Sequence, residues 1–224
     1  MATPNIPKNF GFTPVEGSRF FDSLKDQDEM IIATRSLQER LTNDALVDEL
    51  TRLPNRRALT LKTNELIKQT IDMGIPFVAV MMDLNGFKHI NDTFGHEQGD
   101  QVLAGLGVQF RKGNDMIDMT GRLGGDEFLG LLPLVHKPKP GETTPQPLTR
   151  DEIEPAVNVI AHRFITSVSD YAKSSGNPVG TSIGWAVCMP DSMLLPGEQQ
   201  LNTQPELWHQ ADIMMYDNKP NGRR

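Results

Sequence analysis

The sequence holds one cysteine, Cys188, among its 224 residues, so no disulfide can form within the chain and a reducing compartment is expected. It has no apolar run near the roughly 18–20 residues that a membrane-spanning helix needs. Its first residues, MATPNIPKNFGF, have none of the apolar core of a signal peptide. Positive charge is not in excess either. The net charge of −7 leaves no electrostatic footprint for a nucleic-acid backbone. A phosphate-bearing ligand would therefore have to be met by a metal ion or by a few well-placed cations. No internal repeat is visible. These absences argue against a disulfide-stapled secreted module, a membrane-spanning protein and a binder of nucleic-acid polymers, and the expectation is a cytoplasmic protein. What is present is ordinary globular material, 38% hydrophobic and 23% charged residues, sufficient for a buried core.

Residues 1–19 contain Pro4, Pro7, Gly11, Pro14 and Gly17 with little apolar periodicity, and read as a mobile or loosely docked arm. From Phe20 to Leu50, apolar residues at roughly helical intervals suggest one or two amphipathic helices. Residues 1–43 are thus expected to form an arm and a helical segment, too short for an independent sensor domain, and residues 44–224 a second unit. Pro54 suits a first helical position and Asn55 a cap, opening a helix that should run to about Asp72 and stop at MGIP. FVAVMMDL (Phe77 to Leu84) is continuously apolar, as expected of a strand buried on both faces. NGFKHINDTFGHEQGD is rich in turn formers. Helical spacing returns at Val102, Leu103, Leu106 and Phe110. MTGRL and FLGLL read as paired strands, and HKPKPGETTPQPLT as an exposed loop. A helix over Asp151 to Ser174, a strand in VGTSIGWAVCM and a helix in QPELWHQADIMMYDN complete the order. An antiparallel sheet with helices on one side, ferredoxin-like and α+β, accounts for it.

The chemistry gathers at strand ends. Asp83 closes the first buried strand, where an ionised carboxylate is costly unless it is paired or bound to a metal. Between MTGRL and FLGLL stand Gly124, Gly125, Asp126 and Glu127. If that hairpin flanks the first strand, three carboxylates meet, and an oxygen-only donor set selects Mg²⁺ or Mn²⁺. The bland alternative is an acidic turn plus an aspartate capping the next helix. Gly86, which permits close backbone approach, and Lys88 follow Asp83. Successive backbone N–H groups there suit phosphate, with Lys88 as a point charge.

Five stretches in order, LTRLPNRR, DLNGFKHINDTFGHEQGD, GGDEF, TSIGWA and ADIMMYDNKPNGRR, resemble the motifs of GGDEF-domain diguanylate cyclases over roughly Asp44 to the C-terminus. The resemblance implies a palm-type α+β domain with a central, mostly antiparallel five-stranded sheet flanked by helices. It implies condensation of two GTP molecules into cyclic di-GMP and two pyrophosphates, with Mg²⁺ or Mn²⁺, across a homodimer in which each domain presents one GTP. By motif position Asp83, the Leu84 carbonyl, Asp126 and Glu127 would hold metal, with Asp126 and Glu127 catalytic. Phe87, Lys88, Asn91, His96, Asp100, Gly124, Gly125, Lys219 and Arg223 would line the substrate site. Asn91 and Asp100 would read guanine, and the Asp100 carboxylate can accept from N1–H and N2–H₂, donors that adenine does not offer on that edge. A transferase making an adenine-containing product is disfavoured on this ground. The alternative to a cyclase is a non-catalytic module that binds GTP or a protein, and residues 1–43 are a candidate contact for an unidentified regulatory partner.

Some positions depart from the family pattern. Many members carry an RxxD inhibitory site for their product, but here Asp115 stands in place of the arginine, with Asp118 retained, so product inhibition through this site is expected to be weak or absent. Arg52 replaces a usual glycine, and Asn85 a common second aspartate. Pro220 follows Lys219, where it should end the helix.

Overall fold

The computed structural model describes residues 45–112, 119–138 and 144–220. The arm and helices expected over residues 1–43, the Asp115 and Asp118 positions, and Arg223 lie outside these ranges. The chain divides between Ala45 and Leu46, and every element below belongs to the part that starts at Leu46.

Helix α1 spans Arg56–Met73 and is capped by Asn55, whose side chain accepts from the Ala58 N–H. Pro54 therefore precedes the cap and is not the first helical residue, because the Asn55 carboxamide satisfies an otherwise orphan donor and takes the cap position. The helix stops at Gly74, within MGIP as expected. Strand β1 covers Phe77–Asn85. The turn-rich stretch after it is helical. It forms helix α2, Phe87–Phe94, and the start of helix α3, His96–Lys112. Ile90, Val102, Leu103, Leu106 and Phe110 are buried along these helices, and that apolar contact outweighs the weak helix propensity of the asparagine, glycine and aspartate around them. Strands β2 (Met119–Gly124) and β3 (Glu127–Pro133) form the hairpin. Helix α4, Arg150–Ser175, starts on a capping box between Thr149 and Glu152. Strand β4 covers Gly180–Cys188 and helix α5 covers Gln204–Asp217.

The four strands order as β2-β3-β1-β4, every neighbour antiparallel. The fold is α+β, as expected, but its sheet has four strands among the described residues, not five. After β4, Pro190, a short 3-10 turn at Asp191–Met193 and Pro196 intervene before α5, and proline cannot donate to a ladder. Pro147 likewise makes only an isolated bridge, with Val135.

The helices lie on both faces, not one. Val78, Val80, Met82 and Leu84 pack with residues of α2, α3 and α4, whereas Phe77, Ala79 and Met81 pack with α1 and α5. Successive strand residues point to opposite faces, so a run that is apolar at every position requires cover on both. On the first face, Phe110 meets Phe128 and Phe164 edge-on, with ring centroids 5.4 and 5.9 Å apart. This double cover makes β1 the most enclosed strand and fixes where its polar end emerges.

Candidate active site

The polar end of β1 is set by strand register. Asp83 stands opposite Glu127 in β3 and opposite Ser182 in β4. The Leu84 N–H donates to the Asp126 carbonyl at 3.3 Å, and the Thr181 hydroxyl donates to the Asp83 carbonyl at 3.1 Å. The hairpin thus flanks the first strand, and Asp83, Asp126 and Glu127 come to one place. A cavity of about 170 Å³ opens there, lined by Asp83, Glu127, Asp212, Tyr216, Asp217 and Lys219 among others.

The charges there are strongly coupled. Burial, then the neighbouring Asp83 charge, pushes the Asp126 carboxyl above its ordinary range, against the opposing pull of its own backbone, Lys219 and Arg122. Burial, then Asp83 and Asp212, does the same to Glu127, with Arg56 opposing. Lys219 relieves part of this repulsion, since its Nζ lies 2.9 Å from Asp83 Oδ1. Helix α5 ends at Asp217, ahead of Pro220, and the Asn218 carboxamide donates to the Ile183 carbonyl at 2.9 Å. This anchor delivers Lys219 to the end of β1.

The groups expected from the sequence to hold a metal, the Asp83, Asp126 and Glu127 carboxylates and the Leu84 carbonyl, offer oxygen only. Among the described residues, no three His, Cys, Asp or Glu side chains stand close enough to clasp a metal ion by themselves. Oxygen donors are the type that suits Mg²⁺ or Mn²⁺.

The hairpin turn is held from outside. Gly124 (φ 145°) and Gly125 (φ 54°) adopt backbone conformations that disfavour a side chain. A Cβ on either would meet no protein atom within 4 Å, so the surface above the turn is open. Arg122 Nε donates to the Gly125 carbonyl at 3.0 Å, and its Nη1 lies 3.2 Å from both Asp48 carboxylate oxygens. Arg56 Nε donates to the Leu123 carbonyl at 3.0 Å. Asp48 is fixed in turn by the Thr51 amide at 2.8 Å and hydroxyl at 2.7 Å.

Gly86, at φ 83°, turns the chain from β1 into α2, which places the first-turn N–H groups of α2, including those of Phe87 and Lys88, just beyond Asp83. Lys88 is exposed, Phe87 half-buried. Asn91 lies on α2, with Asp100 and His96 on α3; Asn91 is half-buried and the other two are exposed. Asp48, Arg56, Arg122 and Asp212 were not among the residues expected from sequence. Asp212 sits inside the ADIMMYDNKPNGRR stretch, and Arg122 two residues before the first turn glycine, so position alone offered a signal for both.

The family model described as "Diguanylate cyclase, GGDEF domain" matches residues 45–224. The bifunctional diguanylate cyclase/cyclic di-GMP phosphodiesterase MucR of Pseudomonas aeruginosa is 34% identical over 180 residues, which is 80% of this chain and 23% of MucR. The response regulator PleD of Caulobacter vibrioides is 40% identical over 89 residues, 40% of this chain and 20% of PleD. The chain thus corresponds to under a quarter of the length of either relative. Among solved structures, the diguanylate cyclase SiaD of Pseudomonas aeruginosa, in complex with its activator SiaC, superposes with a TM-score of 0.60 at 25% identity, covering 93% of this chain and 71% of that one.

Proposed function

Since the chain belongs to the GGDEF domain family, we propose that it condenses two GTP molecules into cyclic di-GMP with release of two pyrophosphates. The observation that carries this reading is the register that sets Asp83 against Glu127, both lining one cavity, with Leu84 bonded to Asp126 beside them. In each half-reaction a 3′-oxygen bonds to the α-phosphorus of the other nucleotide, the bond to pyrophosphate breaks, and the 3′-hydroxyl proton passes to a carboxylate. Asp126 and Glu127 are the acceptors in this scheme, and burial together with the Asp83 charge shifts both carboxyls upward, in the direction that favours proton uptake. Asp83, Asp126, Glu127 and the Leu84 carbonyl would hold Mg²⁺ or Mn²⁺. Bound there with GTP, the cation supplies charge stabilisation to attacking and leaving oxygens.

The other residues bind and orient. The first turn of α2 offers N–H groups to phosphate, with Lys88 adding charge. Lys219, paired with Asp83, is the second cation proposed for phosphate. Gly124 and Gly125 leave room for a nucleotide against the turn, Phe87 and His96 line its approach, and Asn91 and Asp100 read guanine. Arg223 is proposed for phosphate on its motif position alone. Since each hydroxyl attacks the other nucleotide, two copies of the domain face each other, and residues 1–43 are the proposed contact for a regulatory partner.

A non-catalytic GTP-binding module is the second reading, and the observation on its side is that Lys219 already pairs with Asp83. The two separate on incubation of the full chain with GTP and Mg²⁺, over a range of protein concentrations, with Asp126→Ala as control. The cyclase reading expects cyclic di-GMP from the parent and a loss of about 10²–10⁴-fold in the variant. GTP binding without product at every concentration overturns it.

A further inference from the structure

Helix α3 carries three interior glycines, Gly99, Gly105 and Gly107, although each costs a helix about 1 kcal/mol relative to alanine. Two have a packing reason. A Cβ at Gly105 would stand 2.4 Å from the Tyr171 ring, and one at Gly107 would stand 2.4 Å from the Thr51 carbonyl. Gly99 differs in what it faces. Its Cβ would fall 1.9 Å from Asn91 Oδ1, 3.0 Å from Asn91 Cγ and 3.3 Å from Phe87 Cζ. No backbone atom is among these neighbours, and Gly99 is not among the positive-φ residues, so the backbone there admits alanine and only side chains stand in its way.

We infer that Gly99 is a specificity-determining positioning residue: its bare Cα is the seat that holds the Asn91 carboxamide against helix α3. This rests on the reading of Asn91 as a guanine contact. The seat is the same whichever way the amide is turned, because nitrogen and oxygen have nearly the same size and neither fits beside a methyl group at that distance. A free asparagine rotates broadly about its terminal torsion. An asparagine seated against a neighbouring helix presents one edge. The same seat ties Asn91 to Asp100, the next residue of α3, so the two side chains proposed to read the base are registered by one backbone position.

The surrounding framework makes the Asn91 side chain the part that yields. Gln98 Nε2 donates to Asn177 Oδ1 at 3.0 Å, holding the first turn of α3. Gly86, the cap of α2, lies beside the residue after Asn177, so that a Cβ there would come 3.1 Å from the Pro178 carbonyl. Both helix starts thus lie against the Asn177–Pro178 segment. A methyl group at position 99 displaces the carboxamide, and the helix itself gains propensity.

The test is a double-mutant cycle of Gly99→Ala and Asn91→Ala in the full chain. It reads the Kd of α,β-methylene GTP by calorimetry, KM and kcat with GTP, and the melting temperature. The expected result for G99A is Kd and KM raised about tenfold, the loss of roughly one good hydrogen bond. Its kcat stays within about twofold and its melting temperature is not lowered, as alanine's helix propensity predicts. In the N91A background the Gly99→Ala change adds nothing. Parent-like nucleotide binding by G99A where N91A is impaired overturns the seat alone. An equal further loss in the N91A background also overturns it, since the alanine then acts through another group. Parent-like binding by N91A instead removes the guanine reading of Asn91 and the inference with it. If G99A melts early, restoration of the melting temperature in the double variant supports the contact, and no restoration overturns it.

Discussion

Arg52 has φ 58°, the only non-glycine residue with positive φ among those described. The family pattern places glycine there, and the structure supplies the reason. An L-residue in the left-handed region costs roughly 1–2 kcal/mol, partly offset by the ~0.5–1 kcal/mol of extra chain entropy that glycine would bring. Arg52 is exposed, so Arg52→Gly is expected to raise unfolding stability by up to about 1 kcal/mol in chemical denaturation. Two aspartates carry opposite pH signatures. Burial alone would raise the Asp48 carboxyl, but the Thr51 hydroxyl and amide and the Arg122 guanidinium hold it below its ordinary value. Its stabilising effect is therefore complete above the unfolded pKa of about 3.9, and is lost as pH falls through the lower folded value. Asp126, raised by burial and Asp83, does the reverse. Its ionised form destabilises the fold above its folded pKa, and the cost vanishes below the unfolded one. Melting curves from pH 7 downward should show Asp48→Asn less stable than the parent and Asp126→Asn more stable. Both differences should shrink in acid.

At the scale of the element, the β2–β3 hairpin is the part whose position matters. Its turn carbonyls are gripped by Arg122 at Gly125 and by Arg56 at Leu123, and Asp48 braces Arg122. Arg122→Ala is expected to lower kcat by about 10²-fold, the scale of a misplaced reacting group. GTP affinity should change far less, and stability should fall by roughly 1–3 kcal/mol. Asp48→Asn should act in the same direction, and the double variant should be less impaired than the sum of the two. This grip was not legible in the sequence, because it joins residues 74 positions apart and periodicity speaks only of neighbours. The hairpin itself was legible, since GG between two apolar runs is turn chemistry. So was the meeting of Asp83 with the hairpin, once the topology was taken as ferredoxin-like. The misplaced features have physical causes. FVAVMMDL already demanded cover on both faces, which a one-sided arrangement of helices cannot give. The helicity of NGFKHINDTF was hidden because asparagine, glycine and aspartate signal turns locally, and only burial of residues such as Ile90 against the sheet overrides that signal. The five-strand expectation came from family likeness, not from any fifth apolar run.

At the scale of the whole molecule, the proposed condensation is one that a single copy could not complete, because each bound nucleotide would supply the nucleophile for the other. Specific activity is therefore expected to rise with enzyme concentration until pairing saturates, which initial rates over serial dilution would show. A rate per enzyme that stays constant down to concentrations where light scattering reports only monomer would contradict it.

The Lys219–Asp83 pair also bears on the order of events in the protein's life. A carboxylate cluster without its own counter-ion would make a newly made chain wait for a cation before it could close. Here the polypeptide brings the compensating charge within its own length, so folding and loading are separable events. Chelation should accordingly stop turnover while leaving the melting temperature unchanged, and Lys219→Met should make the melting temperature newly responsive to added Mg²⁺. If both hold, the domain folds empty and turnover waits only on nucleotide and cation.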